Sequence, residues 1–322
     1  MKVLFDGRGM DDRSGVGEVT RFLYDALSSC TELEVSVLAK RSVQRGLLRQ
    51  LETLKCSTAM RFDWVFVPRL APLPANARRL AVVVHDLGSL DRPQEYPKLL
   101  LRERTAVSRA HAVFAVSDFT ASSIKRHFPR VNPVPLHLGA INPVHSRPAH
   151  DKFLLSVAAN RPNKRLAYLL DTWERTGPQH PDWKLVLVSN FTPERLPPRT
   201  EIRSAVSDEV LAALFECCSG FVSFSAYEGL GLPLYTALAS GIPTIASNIP
   251  PYGELLAARA GVPIDASVAE SADYLSNFLS RISSGQGAEY RAPRPDDAIA
   301  SRTHTAAIIE RALSRYETRR RS

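Results

Sequence analysis

The sequence predicts an α/β fold of two Rossmann-like, doubly wound domains facing each other across a ligand cleft. Three observations predict it. Short apolar runs alternate with helical patterns along all 322 residues. The runs are rich in Val, Ile, Phe and Leu without strict polar alternation, as parallel strands covered on both faces are. A segment with two prolines and few apolar residues, Asn142–Asp151 (NPVHSRPAHD), splits the chain into halves, each with its own strand–helix series. Paired domains of this class bind ligands beyond the carboxyl ends of their strands.

In the first half, Val3–Phe5, Val35–Leu38, Trp64–Val67, Ala81–Val84 and Ala112–Val116 read as buried strands. In the second, Phe153–Val157, Lys184–Val188, Phe221–Phe224 and Pro243–Ala246 do. Helices are expected over 17–28, 118–127, 164–175, 208–216 and 233–240. Ser207-Asp208-Glu209 supplies an N-cap and an acidic first turn ahead of an apolar-periodic run. Ala300–Tyr316 is helical by pattern, and Gly285–Asp297, rich in Pro, Arg and Gly, reads as the loop leading to it. The expected domains are 1–145 and 150–298, with a terminal helix in 299–322 packing back on the first.

Hydrophobic residues make up 44% and charged residues 23%, which excludes a disordered, collagen-like or coiled-coil chain. The net charge is +8, and residues 1–150 carry all of it: 22 Lys and Arg against 14 Asp and Glu, where 151–322 balance at 19 each. Either this half attracts a polyanion or an anionic membrane surface, or it is a basic solvated face. No nucleic-acid partner is expected, because the charge is not interleaved with aromatics and no such motif is present. Of the cysteines Cys30, Cys56, Cys217 and Cys218, two are adjacent and none form a C-x-x-C pair, which fits a reducing cytoplasm. The start, MKVLFDGRGMDD, turns polar too early for a signal peptide. Gly231, Pro233, Gly241 and Pro243 interrupt the uncharged stretch Gly229–Ser247, so it is not read as a membrane span. The expected location is cytoplasmic, with a peripheral position at the inner face of the cell membrane as a further option.

The most informative stretch is Ser223–Gly241 (SFSAYEGLGLPLYTALASG). A buried strand delivers Glu228 to its carboxyl end. Gly229 and Gly231 let the backbone turn tightly beside a ligand. Pro233 suits a first helical turn, and the helix after it is uncharged through Ser240. A glycine turn feeding a helix start offers N–H groups and a positive dipole end to a phosphate, and a carboxylate beside it accepts from sugar hydroxyls. An ordinary strand–turn–helix corner would use the same residues.

The string EGLGLPLYTALASGIPTIAS resembles the donor-binding signature of family 4 retaining sugar-nucleotide glycosyltransferases, which have the GT-B fold and serve bacterial polysaccharide and glycolipid synthesis. The resemblance implies that Glu228 contacts the donor sugar and that Gly229, Leu230, Gly231 and Leu232 line the donor. The family places a second Glu eight residues on, for the ribose hydroxyls; here that position is Thr236. A neutral hydroxyl gives roughly half the bond strength of a charged acceptor. The departure fits weaker donor binding, a nucleotide lacking one hydroxyl, or a non-catalytic GT-B partner subunit or scaffold.

Ser156–Leu170 (SVAANRPNKRLAYLL) resembles the family's strand, basic turn and helix, which puts Arg161 and Lys164 where cations clamp the donor diphosphate. Without the resemblance they read equally as a basic surface turn. Val206 falls where the family packs its nucleobase, and Glu254 where relatives keep an acidic residue or where a turn simply bears a charge. Gly15 and Gly17, between a strand and a helix, match a phosphate-facing loop, with Glu18 where many relatives are basic. His85, ending VVVHDL, resembles the histidine that touches the donor hexose; Asp86 either orients it or meets the acceptor. Ser117 reads first as a helix N-cap.

The resemblance implies transfer of a sugar from a UDP-, GDP- or dTDP-linked donor to a hydroxyl of a saccharide or lipid-linked acceptor, with retention. No metal-binding D-x-D motif is seen, and neither metal nor cofactor is expected. Arg41–Lys55 (RSVQRGLLRQLETLK) spaces Leu47, Leu48, Leu51 and Leu54 helically among basic residues, which fits either a helix on an anionic bilayer or leucines packed on the first domain.

Overall fold

The computed structural model describes residues 1–38, 62–71, 77–95, 100–147, 152–191, 193–253, 256–257, 259–291 and 301–318. Arg41–Lys55, Cys56 and Glu254 lie outside the described residues. The chain forms two units, Met1–Ile141 with Ala300–Ser322, and Asn142–Ile299.

Among the described residues the first unit has a six-stranded parallel sheet. Its strands are β1 (Lys2–Asp6), β2 (Glu34–Leu38), β3 (Trp64–Val67), β4 (Leu80–Val84), β5 (Ala112–Ala115) and β6 (Val134–Pro135), in the order β2-β1-β3-β4-β5-β6. β4 (LAVVV) is buried at every position, which is why it carries no polar alternation. The helices are α1 (Gly15–Ser28), α2 (Gly88–Asp91), α3 (Leu100–Arg109) and α4 (Asp118–His127). The chain then builds the second unit and returns as α9 (Arg302–Thr318), which packs on α1. Ala306, Ile309 and Leu313, three and four residues apart, are the buried stripe of α9. Each buried Ile or Leu contributes about 1.5–3 kcal/mol. The Arg302–Asp25 ion pair, more than half exposed on both sides, contributes little. The apolar stripe therefore holds this helix.

The second unit is again a parallel sheet, with six strands among the described residues. They are β7 (Lys152–Val157), β8 (Trp183–Val188), β9 (Thr200–Arg203), β10 (Gly220–Ser223), β11 (Thr244–Ser247) and β12 (Gly261–Val262), ordered β12-β11-β10-β7-β8-β9. Two strands, β8 and β9, stand on one side of its first strand, where the first unit has β2 alone. Its helices are α5 (Leu166–Thr176), α6 (Asp208–Cys217), α7 (Leu232–Ala239) and α8 (Val268–Ser283). Alternate strand residues feed two cores. Leu154, Leu185, Val222 and Ile245 join Trp173, Trp183 and Phe278 on one face; Leu155, Val186, Phe221 and Ala246 join Phe215, Leu238 and Tyr252 on the other.

Three strands stand outside the sequence reading. β6 and β12 have two residues each, and β9 (TEIR) is half-exposed throughout. Short edge strands do not need the apolar run that marks a central one. Helices α2, α3 and α8 were also not read, although α8 opens on a capping box, Ser267 with Glu270, that is visible in the sequence.

Each sheet grows outward in both directions from its first strand. The strand order therefore switches between β1 and β3 in the first unit, and between β7 and β10 in the second. Those are the points where loops at the carboxyl ends part and leave room for a ligand.

Candidate functional site

In the second unit the switch point is bridged by two loops. β10 ends at Ser223, and the chain enters α7 through Gly231, whose φ of +84° is left-handed and favours glycine. A Cβ at Gly231 would also lie 2.4 Å from the Tyr252 hydroxyl. Gly231 is thus required twice. Pro233 sits in the first turn of α7, and Leu232, Leu234, Tyr235, Ala237 and Leu238 bury its length. The uncharged helix is a core helix whose positive end faces the turn.

From the other side of the switch point, β7 leads into a single 3-10 turn, Pro162–Lys164, and through Arg165 at φ 49° into α5. Hydrogen bonds and an ion pair tie this turn to the β10 loop. The Ala226 N–H donates to the Asn163 carbonyl at 2.7 Å. Asn163 Nδ2, buried, donates to the Tyr227 carbonyl at 2.8 Å. Lys164 Nζ donates to Glu228 Oε1 at 2.5 Å. The two charged side chains are 18% and 10% exposed, enclosed enough to be held and open enough to be reached. Together they offer a cation to a phosphate and a carboxylate to hydroxyls.

The remaining second-unit candidates surround this pair in different ways. Arg161 is exposed at the start of the 3-10 turn. Gly229, Leu230 and Leu232 are buried in the turn, and Thr236, half-buried, follows Leu232 by four residues on the same face of α7. Val206 is half-buried between β9 and α6, just before Ser207, whose hydroxyl caps α6 at the Val210 N–H. Cys218 is buried, which pushes its thiol up to about 12 and leaves it unreactive.

The first unit's candidates are more occupied. Gly15 opens α1 and is exposed. Gly17 is buried, and a Cβ there would lie 1.8 Å from the Asp12 carbonyl, so its missing side chain admits the loop over α1. His85 ends β4 half-buried, with Nε2 2.8 Å from the Pro68 carbonyl. A carbonyl only accepts, so Nε2 carries the proton. Burial lowers the His85 pKa and favours the neutral ring, in which Nδ1 is the acceptor. Asp86 Oδ1 accepts from the Gly88 N–H at 2.9 Å. Ser117 is the N-cap of α4, accepting from the Thr120 N–H at 3.1 Å.

The sequence reading passed over Asn163 and Tyr252. Asn163 stood inside the basic turn, but its buried amide donates to the Tyr227 carbonyl 64 positions away, which no local pattern announces. Tyr252 carried no motif; the Gly231 turn above it is what makes it visible.

Comparison with known proteins follows the same lines. Residues 140–284 match the model of glycosyl transferases group 1. Over 217 residues the chain is 26% identical to an O-antigen chain mannosyltransferase B of Escherichia coli, and the match covers 57% of each protein. The chain thus spans little more than half the length of that curated relative. A sucrose-phosphate synthase from Thermosynechococcus elongatus superposes with a TM-score of 0.65 at 16% identity, covering 100% of this chain and 98% of that one. HepE of Anabaena, solved with UDP and glucose, gives 0.65 at 17% identity, covering 99% and 98%. At such identities the likeness is one of fold: two parallel-sheet units of the GT-B architecture.

Proposed function

We propose that this chain, whose residues 140–284 match the model of glycosyl transferases group 1, transfers a sugar from a nucleotide donor to a hydroxyl of a saccharide or lipid-linked acceptor in cell-surface polysaccharide synthesis. The observation that carries the reading is the Lys164–Glu228 pair at the switch point, beside the glycine turn into α7. In this reading the departing diphosphate meets Arg161, Lys164 and the start of α7, fixed charges that stabilise the leaving group without a metal. Glu228 accepts from donor-sugar hydroxyls. Neutral His85 accepts a further sugar hydroxyl at Nδ1. The chemistry is positioning and electrostatics, with the leaving phosphate assisting deprotonation of the acceptor on the same face, so the anomeric configuration is retained.

Thr236 brings one neutral hydroxyl toward the nucleotide, so a ribose diol gains little over a deoxyribose. The donor panel therefore includes UDP-, GDP- and dTDP-sugars. Purified protein is screened for thermal stabilisation by each, then for donor hydrolysis and transfer. Turnover that persists in EDTA supports the metal-free reading, and loss of turnover on chelation removes it. No turnover and no stabilisation by any sugar nucleotide overturns the proposal. Binding without turnover favours a non-catalytic partner subunit instead. Among the described residues no helix is long and apolar enough to cross a membrane. Contact with an anionic bilayer is a separate part of the proposal, tested by sedimentation with anionic against neutral liposomes.

A further inference from the structure

Asn163 is the middle residue of the 3-10 turn Pro162–Lys164, is 8% exposed, and directly precedes Lys164. The turn closes on itself: the Lys164 N–H donates to the Arg161 carbonyl at 3.0 Å and the Arg165 N–H to the Pro162 carbonyl at 3.1 Å. Asn163 also reaches out of the turn twice. Its carbonyl accepts from the Ala226 N–H at 2.7 Å, and its Nδ2 donates to the Tyr227 carbonyl at 2.8 Å. These bonds grip the peptide that enters Ala226 and the peptide that leaves Tyr227. A peptide is planar and includes the Cα of the residue that follows it. The Tyr227 carbonyl therefore lies in the plane that carries the Glu228 Cα. Gly229 follows at once, and glycine restrains a backbone least. One residue is thus joined to both charges, to Lys164 through the chain and to Glu228 through the Tyr227 peptide. Its amide is neutral, so it bridges the loops without competing for either charge. Lys164 Nζ and Glu228 Oε1 then meet at 2.5 Å.

We propose that Asn163 is a positioning residue. Its two bonds fix the peptide that carries Glu228 against the turn that carries Lys164, so that cation and carboxylate meet one donor at a set spacing. The ion pair does not set that spacing by itself, because a lysine ammonium is a point charge on a flexible stem. Two bonds to separate peptides fix both the place and the tilt of the loop, where one bond would act as a hinge. A displacement of about 1 Å costs a transfer reaction about 100-fold. The proposal rests on the reading that this pair meets a sugar-nucleotide donor, and the test separates the two.

Asn163→Asp keeps the shape and sets an acceptor against the Tyr227 carbonyl. Asn163→Ala removes the amide alone, and it serves if Asn163→Asp does not fold. Two measurements are made on the full chain. The first is carbodiimide cross-linking without any ligand, read by mass spectrometry. The reagent joins a lysine to a carboxylate where the two are in contact. The Lys2–Glu34 pair of the first unit, 3.5 Å apart, is the internal reference. Relative to it, the Lys164–Glu228 product is expected to fall several-fold in both variants. An unchanged ratio overturns the positioning role, whatever the pair binds. Loss of both products together in Asn163→Ala means that the amide serves the fold alone, and it overturns the role too. The second is titration calorimetry with UDP-glucose against UDP and with GDP-mannose against GDP. The turn keeps its own bonds in the variants, so Lys164 still meets a diphosphate while Glu228 shifts. Asn163→Ala is expected to weaken the sugar nucleotide about tenfold, the size of one bond to a charged group, and to leave the diphosphate unchanged. In a Glu228→Gln background the same change is expected to add less than about twofold. Equal losses for diphosphate and sugar nucleotide, or additive losses in the double variant, overturn the role. If neither sugar nucleotide binds the wild-type chain while the cross-link responds to Asn163, the donor reading fails and the positioning contact stands.

Discussion

The two units are both parallel sheets that switch order beside their first strand, and they spend those switch points differently. In the first, Asp6 ends β1 and Arg8 follows two residues later. Arg8 Nε donates to Oδ1 at 2.7 Å and Nη2 to Oδ2 at 2.8 Å, with the side chains 6% and 3% exposed. Beside them Arg69, following β3, lies 3.1 Å from where a Gly9 Cβ would be. This switch point is filled by a bidentate pair between near neighbours in sequence. In the second unit the pair is Lys164 with Glu228, a single contact between loops 64 residues apart and open to solvent. A pair that satisfies itself locally and is buried on both sides organises a turn. A pair assembled from distant loops with one contact keeps bonding capacity for a ligand.

Charge divides the same way. The first unit, with its returning helix, holds 27 Lys and Arg against 16 Asp and Glu; the second holds 14 against 17. A cut near residue 150 hides this, because it assigns the basic terminus to the wrong unit. The first unit thus carries the net positive charge, and Arg161 and Lys164 stand in a unit that is net negative.

The comparison breaks most sharply at the second pair. Glu228→Ala and Lys164→Ala are each expected to lower transfer by about 100-fold or more, in line with the loss of one preorganised electrostatic contact. Each variant also leaves its partner partly buried and unpaired, so the double variant is expected to recover melting temperature without recovering transfer. Full turnover in either single variant would place the chemistry elsewhere.

Asp6→Asn removes the charge that faces the buried Arg8 and is expected to cost about 3–5 kcal/mol in denaturant unfolding. A cost below 1 kcal/mol would mean that the first pair is not structural. Gly231→Ala is expected to cost about 1–3 kcal/mol for its left-handed backbone, and more for the overlap with Tyr252. The measurement is a thermal melt, with sugar-nucleotide binding expected to fall in parallel.

The smallest expected change is a slope with pH. Burial pushes Glu103 up from 4.5 to about 7, against the Ser89 hydroxyl that donates to it at 2.6 Å. The folded chain keeps a proton that the unfolded chain loses. The stability this gives is complete below pH 4.5 and is lost as pH rises to about 7. Glu103→Gln retains an acceptor and a donor without titrating, so melting temperature is expected to lose that decline. His85 works in the opposite sense, its lowered pKa giving stability that is present at neutral pH and lost on acidification. A steeper decline in Glu103→Gln would count against the assignment.

Several features were legible from residues alone. VVV in β4 and LVLV in β8 announce central strands, because a strand buried on both faces has no room for polar alternation. Gly231 and Pro233 mark a turn into a helix because few other residues fit those backbone positions. β9 could not be read, since an edge strand of TEIR earns its place by pairing with β8 and not by burial. Gly17 reads as a phosphate-facing turn by spacing, and the Asp12 carbonyl lying where its Cβ would be is a local loop contact that a glycine count does not supply.

The sequence by itself determined the α/β class, the central strands and the turn that carries Glu228, because these follow from local periodicity and from φ angles open to few residues. Only the tertiary structure decided that Lys164 meets Glu228 and that Tyr252 lies under Gly231. Those facts join residues 64 and 21 positions apart. Such contacts exist only once the sheets have set which loops are neighbours, and strand order is a property of the whole unit and not of any segment.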